Sequence, residues 1–175
     1  MCTANVCRSP MAQAIFSGLL ADRRPPTEIV SAGLLPAGRP MAPEALAAVE
    51  GSGRDMRGHR SRTVSASEIS QADLVLGMTR AHVREVIALV PGSWSKSFTL
   101  KELVRRGELR GPRVPGQALG DWLESVGRGR QRQDLLGSSA AEDVEDPIGG
   151  SPARFSETAE ELRDLCQRLV TLLDL

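Results

Sequence analysis

The sequence predicts an α/β domain with a short parallel sheet, and three observations carry that prediction. Short apolar or β-branched runs alternate with segments of helical periodicity. Ser-Pro or Thr residues stand at the expected openings of the helices. The chain has 175 residues, about the length of one domain. In such folds ligands gather beyond the carboxyl ends of the strands.

Taken in order, Ser9-Pro10 reads as a helix start, with Ser9 as N-cap and Pro10 at the first helical position. Met11, Ile15 and Leu19 then repeat at i, i+4, i+8, which predicts an amphipathic helix to about Asp22, stopped by residues 23–26. Residues 28–32 (EIVSA) predict a short strand ending at Gly33. Residues 43–49 (PEALAAV) predict a helix closed by Gly51 and Gly53. Residues 72–78 (ADLVLGM) have the pattern of a buried parallel strand. Thr79 caps a helix through Val90, stopped by Pro91-Gly92, and residues 97–100 (SFTL) form another short strand. From 104 to 142 the chain turns Gly-, Arg- and Gln-rich and reads as a loop insertion around a short helix at 119–126. Ser151-Pro152 opens the last helix, whose Phe155, Ala159, Leu162, Cys166, Leu169 and Leu173 keep one apolar stripe. No internal repeat marks a second domain, so residues 1–175 are expected to form one.

Composition narrows the function. Twenty-two basic residues balance 22 acidic ones, which removes a general electrostatic attraction to nucleic acid or membranes. Any anion site is therefore local. The longest apolar runs fall short of a membrane span, and the first residues lack a signal peptide's charged and apolar regions. A cytoplasmic, monomeric protein is expected. Three cysteines, two of them at Cys2 and Cys7, suit a chemical role better than a structural bridge. The 2 histidines and the remote Cys166 offer no ligand cluster of useful spacing, so neither metal nor cofactor is expected.

The chemistry concentrates at the front, in Cys2-Thr3-Ala4-Asn5-Val6-Cys7-Arg8-Ser9. A loop of this length curls so that successive backbone N–H groups point inward and make a nest for an anion. The following helix start adds its own unpaired N–H groups and positive dipole end. Arg8 supplies a planar fork for two phosphate oxygens. The same field lowers the pKa of a cysteine at the mouth, making Cys2 a nucleophile for phosphoryl transfer.

These residues resemble a known family. CTANVCRSPMAQAIF is similar to the phosphate-binding loop of the low-molecular-weight protein tyrosine phosphatases. The likeness continues through SAG at 31–33, GHRSR at 58–62, ADLVLGMTRAH at 72–82 and DPIGGS at 146–151. The resemblance implies a three-layer, flavodoxin-like fold and a metal-independent phosphomonoesterase. Its substrate would be a phosphorylated protein, phosphotyrosine first, processed through a phosphocysteine on Cys2. By the same resemblance Arg8 clamps the phosphoryl group, residues Thr3 to Ser9 line its site, and Ser9 donates its hydroxyl to the Cys2 sulfur. Asp146, before Pro147, is the implied general acid and then base, ahead of Asp143, which lacks a following proline. Asn5 is implied to bond to Ser31 and His59 in neighbouring loops. Cys7 is the implied redox partner of Cys2. His82 and Cys166 read as structural.

The chain departs from the family pattern in three places. Ala4 stands where glycine is usual, and a positive φ there would strain it, although Asn5 tolerates that conformation. Ile148-Gly149-Gly150 follows Pro147 where tyrosine-specific members carry aromatics; this form resembles a bacterial subgroup with protein arginine phosphatases. That subgroup tends to have threonine in place of Val6, and an apolar Val6 suits an aryl phosphate better than a guanidinium. The family's first strand is missing, Met1 standing where its last residue would be; a start codon assigned too late is the favoured reading. The alternatives are thus an arginine phosphatase, an inactive truncated phosphate-binding homologue and, least favoured, a thioredoxin-coupled arsenate reductase. The last needs a mid-sequence cysteine pair, and none lies between Cys7 and Cys166.

Overall fold

A computed structural model describes residues 1–23 and 26–174. They form two compact units: Met1–Thr63 with Glu145–Gln167, and Val64–Val144 with Arg168–Asp174. Both carry parallel pairing with helices, and the α/β class holds.

In the first unit, helix α1 spans Arg8–Leu19. Its N-cap is Cys7, with no side-chain cap, and the first backbone bond runs from Met11 N–H to the Cys7 carbonyl at 3.0 Å. This corrects the placement of Ser9 as N-cap. Ser9 lies within the first turn and its hydroxyl is used elsewhere, while Pro10 occupies a turn where a missing N–H costs nothing. The helix is also not one-sided: Arg8 through Phe16 are all buried. Polar Ser9 and Gln13 are tolerated inside because both are hydrogen-bonded. The stop expected at 23–26 lies partly outside the described residues, and the helix ends before Leu20.

Helix α2, Pro43–Ala48, begins with proline at its start and Glu44 in the first turn. The glycines that close it permit a backbone crossing. A Cβ on Gly53, whose φ is 142°, would lie 2.5 Å from Gly18 Cα, and one on Gly18 would lie 2.2 Å from the Ser52 carbonyl.

The strand expected at 28–32 does not form. Only its end is paired: Gly33 bridges Cys2 on one side and Thr63 on the other, both in parallel. Cys2 N–H reaches the Ala32 carbonyl at 3.3 Å, but among the described residues no strand lies beside 28–31 to continue the ladder, and Val30 remains exposed.

Helix α7, Pro152–Leu172, buries Phe155, Ala159, Leu162 and Cys166 in this unit, the stripe its periodicity predicted. No helix among the described residues is long and apolar enough to cross a membrane.

The second unit is built on one βαβ turn. Strand β1, Val75–Gly77, pairs in parallel with β2, Ser97–Thr99, Val75 facing Ser97 and Gly77 facing Thr99. The predicted run 72–78 is trimmed because its partner is only that long. Between them α4, Arg80–Leu89, is capped by Thr79 and followed by a 3₁₀ turn at Pro91–Lys96. Helix α3, Ala66–Gln71, was not foreseen, although Ser65 and Glu68 form a complete capping box.

The segment 104–142 is more ordered in its bonding than a loop. Helix α5, Leu100–Arg110, runs into it because Thr99 caps it and Leu100, Leu103, Val104 and Gly107 form its buried face. Helix α6 covers Leu119–Val126, as expected, and a 3₁₀ turn covers Arg132–Leu135. Buried Arg130 stacks between Trp94 and Phe98, 4.1 and 3.8 Å from the ring centres, and pairs with Glu102 at 2.7 Å. Its arginines are therefore partly internal cement, which composition alone read as solvated.

Candidate active site

All the residues singled out at the site fall in the first unit. The loop 2–7 rests on the backbone of Gly33. Leu34 and Leu35 N–H groups donate to the Thr3 carbonyl at 2.7 and 3.1 Å, and Ala42 N–H donates to the Val6 carbonyl at 2.9 Å. A Cβ on Gly33 would come within 2.8 Å of both Asn5 N and Thr3 O, so only glycine lets the loop lie this close. Gly33 itself donates to the Arg62 carbonyl at 2.7 Å. The loop is thus held from three directions.

Asn5 is where the loop reverses. Its φ of 54° is left-handed, and Ala4 is not among the positive-φ residues, so the strain expected at Ala4 is absent. Asparagine adopts this conformation at modest cost. Completely buried, its side chain spends every polar atom: Oδ1 accepts from Arg62 N–H at 2.9 Å, and Nδ2 donates to Ser9 Oγ and Ser31 Oγ, each at 2.9 Å. The Asn5 carbonyl accepts from His59 Nε2 at 2.8 Å. A carbonyl only accepts, so His59 carries a proton on Nε2.

Cys2 Sγ lies 3.0 Å from Ser9 Oγ. Because Ser9 Oγ already accepts from Asn5, its hydroxyl proton is available to the sulfur. Cys2, Val6, Cys7, Arg8 and Ser9 are buried, Ala4 is half-buried and Thr3 exposed. Arg8 forms an ion pair with Asp146. Asp146 also accepts from Ile148 N–H at 3.3 Å, and Gly150 N–H closes a turn on the Pro147 carbonyl at 2.8 Å. This turn holds the carboxylate over the loop.

Asp143 belongs to the second unit and is occupied there, accepting from Arg80 N–H at 2.7 Å and Ser139 N–H at 3.0 Å. His82 is buried against Thr79, its Nδ1 2.8 Å from Oγ1. The Cys7 thiol is pushed up to about 12 by burial, then by the negative charges of Asp146 and Cys2, with Arg8 opposing. Burial alone pushes the Cys166 thiol up. All three thiols are free.

Two members of the network were not foreseen. Arg62 acts through its backbone N–H, and Gln13 accepts from Ser31 Oγ at 2.7 Å while its Nε2 donates to the Ile29 carbonyl at 3.0 Å. The only signal for Gln13 was a polar side chain on the inner side of a short helix.

Comparison with known proteins agrees with this geometry. The family model described as low molecular weight phosphotyrosine protein phosphatase matches residues 1–115. Over 104 residues the chain is 36% identical to a probable low molecular weight protein-tyrosine-phosphatase, EpsP, of Ralstonia solanacearum, covering 59% of this chain and 69% of that one. It is 30% identical over 175 residues to the protein-arginine-phosphatase of Bacillus subtilis, covering 99% and 93%. The crystal structure of a low molecular weight protein tyrosine phosphatase from T. tengcongensis superimposes with a TM-score of 0.71 at 31% identity, over 97% of this chain and 93% of that one. With a nucleophile loop, its arginine and an aspartate turn assembled in one unit, the chain belongs to the low molecular weight phosphotyrosine protein phosphatase family.

Proposed function

We propose that the chain hydrolyses phosphate monoesters on phosphorylated proteins, phosphotyrosine first, through a phosphocysteine on Cys2. The Cys2 thiolate attacks phosphorus in line with the ester oxygen; the P–O bond breaks, and Asp146 gives that oxygen its proton. Arg8 and the backbone N–H groups of residues 3–9 hold the three spectator oxygens. Water then attacks the phosphocysteine, Asp146 takes its proton, and the P–S bond breaks to return thiolate and inorganic phosphate. Ser9 donates to the departing sulfur. No step calls on a metal or cofactor. The observation that carries this reading is the placement of Ser9 Oγ between the Asn5 amide and Cys2 Sγ, where its proton is in reach of the sulfur that must leave. Asn5, Ser31 and His59 hold the loop for that purpose.

A second reading, removal of phosphate from arginine, is favoured by the Bacillus subtilis relative's match along almost the whole chain and by Ile148-Gly149-Gly150 in place of flanking aromatics. Apolar Val6, buried in the loop, keeps the aryl ester ahead. The proposal includes one catalytic domain over residues 1–175, acting as a cytosolic monomer with no nucleic-acid or membrane partner, which gel filtration and fractionation test.

The deciding experiment is turnover of an aryl phosphate by the chain and by Cys2→Ser, with and without EDTA, followed by phosphotyrosine and phosphoarginine peptides in competition. Turnover that survives Cys2→Ser ends the cysteine mechanism, and loss with EDTA ends the metal-independent one. A preference for phosphoarginine selects the second reading. No turnover at all leaves a phosphate-binding protein.

A further inference from the structure

Residues 34–42 form a bow with both feet on the anion loop. The Leu34 and Leu35 N–H groups stand on the Thr3 carbonyl at one end, and the Ala42 N–H stands on the Val6 carbonyl at the other. Between the feet, residues 35–40 are exposed. The crown of the bow is pinned by Ser61, which is 2% exposed. Ser61 Oγ accepts from the Arg39 N–H at 3.0 Å, its N–H donates to the Arg39 carbonyl at 2.7 Å, and its carbonyl accepts from the Gly38 N–H at 2.9 Å. One buried serine thus holds the backbone of Arg39, while the Arg39 guanidinium has no hydrogen bond or ion pair among the described residues. Arg60 lies beside it, paired with Pro40 in an antiparallel bridge. Its Nη1 donates to the His59 carbonyl at 2.8 Å, which leaves its charge without a counter-ion among the described residues. Residues 59–62 reach the same loop through His59 and Arg62, which bond to Asn5. The segments that embrace the loop, 34–42 and 59–63, hold Arg39, Arg60 and Arg62 and no acid, in a chain whose formal net charge is +0.

We propose that Arg39, with Arg60 beside it, is a specificity-determining residue that selects protein segments carrying an aspartate or glutamate close to the phosphorylated residue. The inference rests on the reading of the chain as a phosphatase of phosphorylated proteins, and adds the sequence class of the substrate. Arg39 is three residues from the foot of the bow at Ala42, so its Cα lies at most about 11 Å along the chain from that foot. An extended substrate advances about 3.3 Å per residue, so a carboxylate within about three positions of the phosphorylated residue comes into range. A guanidinium fork is matched to that group. Because the backbone beneath it is already pinned, less ordering is needed when the carboxylate arrives. The pair stays in solvent and away from the reacting atoms, so the gain falls on capture of the substrate and not on the chemical step.

The test compares peptides of equal length, built on whichever phosphorylated residue the chain turns over, with aspartate or its neutral isostere asparagine at the neighbouring positions on one flank or the other. Each is assayed with the full chain, Arg39→Gln, Arg39→Glu and Arg39→Gln/Arg60→Gln, and p-nitrophenyl phosphate, which has no flank, is the control. On at least one flank the aspartate peptide is expected to exceed its asparagine twin about three- to five-fold in kcat/KM, through KM with kcat unchanged. Arg39→Gln should shrink that preference, Arg39→Gln/Arg60→Gln should abolish it, and Arg39→Glu should reverse it. Raising the salt to about 1 M, where the screening length falls to about 3 Å, should erase it in the full chain. Turnover of p-nitrophenyl phosphate should stay within about two-fold in all three variants, since none of them touches the anion loop's own groups. Equal rates on aspartate and asparagine peptides overturn the proposal, as does a preference that survives in Arg39→Gln/Arg60→Gln. A matching loss on p-nitrophenyl phosphate also overturns it, because the arginines would then support the loop and not the choice of substrate. If the full chain turns over no phosphate ester, the proposed function fails by itself. Binding of the same phosphopeptides to the Cys2→Ser protein, read by fluorescence anisotropy, then still decides the preference, so the two failures are distinguishable.

Discussion

Arg8 and Asp146 are paired directly, and unequally: the Arg8 side chain is 5% exposed and that of Asp146 40%. A buried guanidinium is thus partnered by a carboxylate that stands at the mouth and reaches solvent. Removing the acid should have two opposite effects. Asp146→Ala is expected to lower kcat by about 10²- to 10³-fold on phenyl phosphate, whose leaving group needs a proton, and far less on an activated aryl phosphate. It should also strengthen inhibition by inorganic phosphate, since the anion no longer faces a carboxylate beside Arg8. Steady-state rates with the two esters and phosphate inhibition constants check both. Equal loss on both esters would contradict the acid role.

Cys7 should make the protein less stable in alkali. Its folded thiol is pushed from 9.0 up to about 12, so between these values the folded chain keeps a proton that the unfolded chain has lost. Unfolding then releases a proton and is favoured as pH rises. The stabilisation of the neutral thiol is complete below about pH 9 and is spent by about pH 12. Urea melts from pH 8 upward should fall more steeply for the native chain than for Cys7→Ala. At pH 7, iodoacetamide should leave Cys7 unlabelled in the folded protein, and a labelled Cys7 peptide would contradict the shift.

Gly33→Ala tests the seat of the loop. The added methyl would meet backbone atoms of Asn5 and Thr3 at 2.8 Å, and backbone cannot swing aside as a flexible side chain can. A cost of about 1–3 kcal/mol is expected from such overpacking. Because the displaced atoms belong to the anion loop, kcat/KM should fall further than the melting temperature alone suggests. Thermal melts and kinetics on the same preparation check this, and an unaltered kcat/KM would contradict it.

Arg130→Met tests the cement of the second unit. The substitution leaves Glu102, 3% exposed, with Arg106 at 3.1 Å as its ion-pair partner among the described residues, and removes the cation from between two aromatic rings. A loss of about 3 kcal/mol is expected, as for a buried ion pair that has lost one partner. Arg130→Met/Glu102→Met should recover part of it, because the stranded charge goes too. Denaturant melts of the three proteins give the coupling directly.

What could be learned from the sequence by itself was local. The curl of residues 2–9 before a helix, the Thr79 cap, the helix at 119–126 and the stripe of α7 each depend on residues within a few positions of one another, and periodicity and capping chemistry reveal them. The family and the candidate nucleophile were legible for that reason. What only the tertiary structure decided involves partners far apart in the chain. Ser31 meets Gln13 across 18 positions, Asn5 meets Arg62 across 57, and Arg130 meets Glu102 across 28. These contacts put Arg130 inside the protein instead of in solvent, and a separate pair of contacts occupies Asp143 with the Arg80 and Ser139 N–H groups. They also show why 28–32 is not a strand: β-structure needs a neighbour, and a pattern of side chains cannot supply one. Propensity is a property of a segment, whereas hydrogen-bond polarity and ladder pairing are properties of two segments brought together.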